Sequence, residues 1–120
     1  MKNSLKKNED FKKVFDEKKS CANKYLILYY KRNELDVNRL GIQVSKKVGN
    51  SVVRHRLTRL IRESFRLNEN SFKHGLDLVV IARGDAKGKT YKEIEDALLH
   101  LGKQSRILSE NYVVVFIFKI

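Results

Sequence analysis

This 120-residue chain lacks three features that would indicate a secreted or membrane protein: a second cysteine, a long apolar run and a signal segment. It has a single cysteine, Cys21, so it forms neither an intramolecular disulfide nor a thiolate metal cluster, and a reducing compartment suits it. No apolar run approaches the roughly 20 residues that a membrane-spanning helix needs. The N-terminus leads through Lys6 and Lys7 into charged residues, without the apolar segment of a secretory signal. We therefore expect one cytoplasmic domain with a single modest core.

Acidic residues are also scarce. The chain has 14 Asp and Glu against 26 Lys and Arg, which gives a formal net charge of +12. With 42% hydrophobic residues it is still expected to fold. Its charge favours a polyanionic partner, namely RNA, DNA or an anionic membrane surface. The membrane is the weakest of the three because no segment is long enough to span it. We expect nucleic acid as the partner, with no membrane and no small-molecule substrate.

Half of that charge is concentrated in one segment, residues 46–66. It contains seven Lys or Arg and one acid, a net charge of +6. At about 100° per residue, apolar side chains gather on one side of a helix and a basic stripe follows on the other. A solvated helix usually mixes charges of both signs, whereas this stripe is rich in arginine, which suits forked contacts to phosphate. We interpret the stripe as a nucleic-acid surface, with a solvated face as the alternative. It consists of His55, Arg59, Arg62 and Arg66.

Periodicity and capping residues predict the first secondary-structure elements. Asn8 is expected to cap a first helix, whose first turn is acidic. Residues 24–31 and 39–45 alternate as two strands, which we expect to pair as an antiparallel hairpin. Asn50 then caps the basic helix, which is expected to run to about Leu67.

The second half of the chain predicts one more strand and one more helix. Residues 76–82 are so apolar that this strand should be central and covered on both faces. Thr90 and Glu93 have the spacing of a capping box at the start of the last helix. The order helix, strand, strand, helix, strand, helix predicts the α+β class, as a two-layer α/β sandwich. We assign residues 1–108 to a single RNA-binding domain and residues 109–120 to an apolar tail of unknown role.

Four short motifs keep an unbroken spacing through the basic segment. They are Ser45-Lys46-Lys47, Gly49-Asn50, Arg54-His55-Arg56 and Thr58-Arg59-Leu60-Ile61-Arg62. This pattern resembles the signature of the protein subunit of bacterial ribonuclease P, which reads Ser-Lys-Lys, Gly-Asn, Arg-Asn-Arg and Lys-Arg-Leu-Ile-Arg. Two positions depart from it, since His55 replaces the usual Asn and Thr58 a usual Lys. One amide contact and one cation are therefore lost from the helix.

The resemblance implies a fold feature and a division of labour. The fold feature is a left-handed strand-helix-strand crossover, contrary to the right-handed rule for parallel strands. The implied function is the protein component of ribonuclease P, which removes the 5′ leader of precursor tRNA to give the mature 5′ end. The RNA subunit performs the hydrolysis and requires Mg²⁺, while the protein binds no cofactor of its own and is inactive alone. The partners are the catalytic RNA subunit and precursor tRNA.

Two groups of residues are predicted to carry these contacts. Aromatic rings can stack on the exposed bases of a single-stranded leader, and Phe11, Phe15 and Tyr29 are the candidates. From the residues alone, Phe11 and Phe15 fit a helix face packed in the core; the resemblance instead places them in a leader-binding cleft. The predicted RNA-binding residues are Lys46, Lys47, Asn50, Arg54, His55, Arg56, Arg59, Arg62 and Arg66.

Catalysis by the protein itself has little support in the sequence. His55, His74 and His100 lie far apart, without metal-ligand spacing, and Cys21 has no neighbouring base. We therefore predict no catalytic and no metal-binding residue. Two alternative functions stay open: a general RNA-binding or ribosome-associated module, and a nuclease that acts without an RNA subunit.

Overall fold

The computed structural model of the chain describes residues 3–109. This range contains three α-helices, four strands and two short 3₁₀ turns, at Glu69–Ser71 and Gly84–Ala86. The helices are α1 (Asn8–Asp16), α2 (Ser51–Asn68) and α3 (Tyr91–Gln104), and the strands are β1 (Ser20–Ala22), β2 (Leu26–Arg32), β3 (Arg39–Gln43) and β4 (Leu76–Ala82). The α+β class and the order of the predicted elements are confirmed. β1 was not predicted, because three residues are too few to show a periodic pattern.

The four strands form one mixed sheet in the order β1-β2-β4-β3. β4 is central, as predicted. Its first five residues are all buried, so both faces of the strand are covered. The predicted hairpin of β2 and β3 is wrong. β4 lies between them, antiparallel to β2 and parallel to β3. The connecting segment bonds instead to the chain that leads into β4, through Asn33 N–H to the Gly75 carbonyl and the Asn38 amide to the Lys73 carbonyl.

The β3-α2-β4 unit is a parallel crossover that carries the basic helix over the sheet. The left-handed sense of this crossover stays a prediction. Because β3 is an edge strand, α2 lies beside that edge, where one side of the helix meets the core and the other meets solvent. The topology thus exposes the basic side of α2.

The sheet has helices on both of its faces. Alternate residues of β4 such as Leu78 and Val80 pack with buried side chains of α2 and α3, in the main core. The residues that alternate with them, Val79 and Ile81, face the opposite side of the sheet. They pack with α1, including its buried Val14. The single helical layer of the predicted two-layer sandwich therefore holds α2 and α3, whereas α1 adds a partial cover on the opposite face.

Two of the three predicted helix caps are present, those of α2 and α3. Asn50 caps α2, since its Oδ1 accepts the Val53 N–H at 3.0 Å. The capping box of Thr90 and Glu93 is present at α3. The predicted cap of α1 is wrong: Asn8 is the first helical residue, and Lys7 holds the cap position without a side-chain hydrogen bond. Only the acidic first turn stabilises that helix start by its charge.

An ion pair between a half-buried arginine and a buried carboxylate fixes the start of β4 against β3. Asp77 accepts from Arg39 Nε at 2.8 Å and Nη2 at 2.7 Å, and from the Asn33 amide at 2.9 Å. Burial alone would raise the pKa of Asp77, but the bonds from Arg39 and Asn33 outweigh it and hold the pKa below its usual value. The carboxylate therefore stabilises the fold at neutral pH, and this contribution is lost as the pH falls through that lowered pKa.

We expect Asp77→Asn to lower the free energy of unfolding by about 1.5 kcal/mol at pH 7, because charge-assisted bonds to Arg39 are lost. The deficit should begin to shrink as the pH falls below about 4, the ordinary pKa of an Asp in the unfolded chain, and should vanish below the lowered pKa of the folded carboxylate. Urea unfolding at several pH values measures both effects. A deficit that is constant down to pH 2.5 would contradict the assignment.

Candidate RNA interface

The loop before α2 places two lysines at the start of the helix. Ser45 organises this loop, because its carbonyl accepts the Val48 N–H at 3.0 Å and its hydroxyl accepts the Lys47 N–H at 3.2 Å. The buried Val48 anchors the loop to the core, while the side chains of Lys46 and Lys47 are exposed. Both predicted lysines are thus available beside a helix N-terminus, which itself favours anions.

Gly49 and Asn50 set the angle at which the chain enters the helix. A Cβ on Gly49 would lie 2.7 Å from Cγ1 of Val53, so the close approach of loop and helix requires glycine. Asn50 was predicted to contact RNA, and its Oδ1 is already engaged as the helix cap. Its role in this structure is therefore to fix the helix start.

The two sides of α2 differ as predicted. Leu57, Ile61, Ser64 and Phe65 are buried against the sheet and α3. On the opposite side five predicted RNA-binding residues are exposed, and we call them the basic ridge: His55, Arg56, Arg59, Arg62 and Arg66. Within residues 3–109, Arg56, Arg59 and Arg62 form no ion pair with a carboxylate. Their charges are available to an external anion.

Arg66 differs from the other arginines of the ridge. It forms a two-bond ion pair with Glu63, the one acid of the segment. Hydrogen bonding from Arg66 lowers the pKa of Glu63 and raises that of Arg66. Both side chains are largely exposed, so the pair contributes little to stability, but it neutralises part of the charge at this end of the ridge.

Arg54 does not share the ridge. It is half-buried on the side of α2 that faces β3, and its Nε is buried without a hydrogen-bond partner among the residues described. Together with Ile42, Val44 and Thr58 it lines a groove beside β3, and the ridge residues His55 and Arg62 line the same groove. Thr58, one of the two departures from the family signature, donates its hydroxyl to the Arg54 carbonyl at 2.9 Å. The Thr58 hydroxyl is therefore bonded to the helix backbone, while its half-buried side chain lines this groove.

The three predicted cleft residues come together on the other face of the sheet. Phe11, Phe15 and Tyr29 are each half-buried and pack on a small cluster around Val79. The rings of Phe15 and Tyr29 meet edge to face, with centroids 4.9 Å apart and planes at 88°. Phe11 lies over Gly41, where a Cβ would come within 2.5 Å of its Cε1. We call these three residues the aromatic cluster; they are packed on one side and open on the other.

The remaining candidates do not gather into a site. His100 contacts the Asn23 amide at 3.3 Å, and His74 is exposed just before the start of β4. Burial raises the pKa of the Cys21 thiol, which lies 3.5 Å from the Leu101 carbonyl. Residues 3–109 contain no group of three or more His, Cys, Asp or Glu placed to hold a metal ion. None of the described helices is long and apolar enough to cross a membrane.

One residue near the ridge was not predicted as part of the interface. Tyr91 was expected on the inner stripe of the last helix, with Ile94, Leu98 and Leu101. Those three are buried, but Tyr91 is half-buried and faces arginines of α2. The sequence indicates that Tyr91 lies in the first turn of α3. Its place beside the basic helix is seen only in the packing of α2 against α3.

Comparison with known proteins decides the family. The sequence model of the family described as Ribonuclease P matches residues 1–106. This chain belongs to the ribonuclease P protein family. A ribonuclease P protein component from Lachnoclostridium phytofermentans is 57% identical over 111 residues, which cover 92% of this chain and 96% of that protein. One from Alkaliphilus metalliredigens is 55% identical over 107 residues, 89% of this chain and 96% of the relative.

Solved structures agree with the sequence comparison. The ribonuclease P protein of Staphylococcus aureus superimposes with a TM-score of 0.82 at 38% identity, covering 89% of this chain and 98% of that one. The protein from Thermotoga maritima gives 0.78 at 34% identity, with 84% and 96% covered. The predicted resemblance and the function class are thus confirmed: the chain is a ribonuclease P protein component, which acts in tRNA 5′ processing. Of the tail predicted at residues 109–120, residues 110–120 lie outside the described residues.

Proposed function

We propose that this ribonuclease P protein binds the catalytic RNA subunit through α2 and the 5′ leader of precursor tRNA through the aromatic cluster. The observation that carries the proposal is the separation of these two surfaces. The basic ridge lies on α2, on one face of the sheet, and the aromatic cluster lies under α1 on the other face. One protein can therefore contact two RNA molecules at once, in the bacterial cytoplasm.

The ridge has the chemistry of a phosphate-binding surface. Guanidinium groups donate planar pairs of hydrogen bonds that match phosphate oxygens. Arg56, Arg59 and Arg62 have no carboxylate partner within the described range, so like charges repel one another until a polyanion arrives. Lys46 and Lys47 extend the positive surface to the helix N-terminus. A folded RNA, with a regular array of phosphates, is the partner that fits.

The aromatic cluster has the chemistry of a base-stacking surface. Phe15 is held edge to face by Tyr29, and both rings keep part of their surface open to solvent. Unpaired bases stack on such rings with little dependence on sequence. A single-stranded leader is unpaired, whereas the mature tRNA lacks it, so this surface distinguishes precursor from product.

Hydrolysis is assigned to the RNA subunit, with Mg²⁺ as its cofactor. The protein contributes binding: it holds the leader and the RNA subunit in one complex, which lowers the entropy cost of bringing them together. No side chain of this protein is assigned a role in the bond-breaking step.

The deciding experiment is a reconstitution of precursor tRNA cleavage with a bacterial ribonuclease P RNA. We expect the protein to increase cleavage at Mg²⁺ concentrations where the RNA alone is slow, and the purified protein alone to give no product. Cleavage by the protein without RNA would favour the nuclease alternative. Tight RNA binding without any stimulation of cleavage would favour the general RNA-binding module.

A further inference from the structure

A groove of about 500 Å³ lies between α2 and the first turn of α3. On α2, the positions Arg56, Arg59, Leu60 and Glu63 follow at i, i+3, i+4 and i+7, so they share the side of the helix that faces α3. Arg62 completes the α2 wall and Tyr91 forms the α3 wall. The groove thus has an apolar floor, made by Leu60 and the tyrosine ring, and an arginine rim.

The ring of Tyr91 is fixed in this groove from behind. Its hydroxyl donates to Glu95 Oε2 at 2.9 Å, and the same oxygen accepts from the Asn68 amide at 2.9 Å. Burial and the carboxylate of Glu95 raise the pKa of Tyr91 to about 12, so the hydroxyl stays protonated and keeps donating. The hydroxyl is therefore occupied within the protein, and the ring face is what the groove offers.

The charge of the groove is positive although it contains one acid. Glu63 is committed to Arg66 through two hydrogen bonds. Arg56, Arg59 and Arg62 have no such partner in the part of the chain that the structure describes. An aromatic ring with unpaired guanidinium groups around it matches a nucleotide, whose base stacks and whose phosphates accept hydrogen bonds.

Packing between the helices explains the position of Tyr91 only in part. Ile94, Leu98 and Leu101 already fill the inner stripe of α3 and are buried. Tyr91 stays half-buried, with its open surface directed at the arginine rim. Its open surface thus lies beside three arginines that have no carboxylate partner among the described residues.

We propose that this groove binds one unpaired nucleotide of the catalytic RNA subunit, with its base against Tyr91 and Leu60 and its phosphates on Arg56 and Arg59. The proposal rests on the proposed function, since it takes the RNA subunit as the partner of α2. It extends the interface from the basic helix onto α3. It also makes this part of the interface selective for unpaired RNA. Phosphate contacts alone do not give that selectivity, whereas a double-stranded segment has no free base to insert into the groove.

The test compares Tyr91→Leu with Tyr91→Phe in binding to the full ribonuclease P RNA. Loss of the ring should weaken affinity about tenfold, or about 1.4 kcal/mol, which is the order expected for one stacked base. Tyr91→Phe keeps the ring and should stay within about twofold of wild type. Neither variant removes a charge, so the salt dependence of binding should not change.

Tyr25→Leu is the matched control. Tyr25 is also half-buried, but it packs at the far side of α3 under Lys89 and away from α2. Melting curves of all three variants show whether the fold is retained. If Tyr91→Leu does not fold, Tyr91→Met replaces it, because its longer flexible side chain fills more of the space of the ring without a flat face for stacking, and the same tenfold loss is expected.

Two results would overturn the proposal. Equal affinities for Tyr91→Leu and Tyr25→Leu would show that the ring does not touch RNA. Equal losses for Tyr91→Phe and Tyr91→Leu would assign the effect to the bond with Glu95 rather than to stacking. If instead the wild-type protein fails to bind or stimulate the RNA subunit, the proposed function itself fails, which is a separate outcome.

Discussion

Replacing Arg59 and Arg62 together by alanine is expected to weaken binding to the RNA subunit roughly 30-fold at about 0.15 M salt. It should also reduce the slope of log affinity against log salt by about 2, one for each phosphate contact removed. Both side chains are exposed on the basic ridge and have no carboxylate partner within residues 3–109. Their removal should leave stability nearly unchanged, because neither takes part in the core. Titrations at several salt concentrations measure affinity and slope together.

The matched control removes two charges elsewhere. Lys24 and Lys87 are exposed and lie outside both α2 and the aromatic cluster, so Lys24→Ala with Lys87→Ala lowers the net charge equally. We expect this control to change the affinity far less. Arg66→Ala is an intermediate case, because Glu63 already neutralises part of its charge. An unchanged salt slope in the Arg59 and Arg62 variant would show that the ridge is only a solvated surface.

The sequence was most informative where the structure is local. The start of α2 followed from Asn50, and its two sides followed from helical periodicity, which holds wherever one side of a helix is buried. The central position of β4 followed from its apolar character, since six of its seven residues are apolar and such a strand is expected to be covered on both faces. These features depend on residues within one element or on simple burial.

Features that depend on pairing between distant segments were missed. The hairpin prediction failed because β2 and β3 each fit a place beside β4, and strand order is decided by contacts across the chain. The helices on both faces follow from Val79 and Ile81, whose partners in α1 are more than sixty positions away. At the site, the position of Arg54 beside β3 and of Tyr91 beside α2 required the packed structure. The aromatic cluster was placed by family resemblance, since periodicity alone assigned its phenylalanines to the core.

Changing Phe15 to alanine is expected to weaken the affinity of the holoenzyme for precursor tRNA by on the order of 2 kcal/mol, the contribution of one stacked base. Affinity for mature tRNA should stay nearly constant, because it has no leader. Assembly with the RNA subunit should also persist, because the basic ridge lies on the other face of the sheet. Dissociation constants for both tRNAs, with a melting curve of the protein, measure these effects.

Val14→Ala is the matched control for Phe15 on the same helix. Val14 is fully buried between α1 and the sheet, whereas Phe15 beside it is half-buried against Tyr29. The control should lower the melting temperature and change the two tRNA affinities equally, since it damages the support of the cluster without removing a stacking surface. The contrast between neighbouring positions separates a loss of packing from a loss of leader contact.

The core interpretation of Phe15 predicts a different pattern. Truncating a buried Phe costs roughly 3 to 5 kcal/mol of folding stability and damages every activity together. Phe15 keeps an open surface, so we expect its truncation to cost less than that and to act on the precursor alone. Equal losses for precursor and mature tRNA, with a fall in melting temperature as large as that of Val14→Ala, would return Phe15 to the core. The leader-binding site would then be left unassigned.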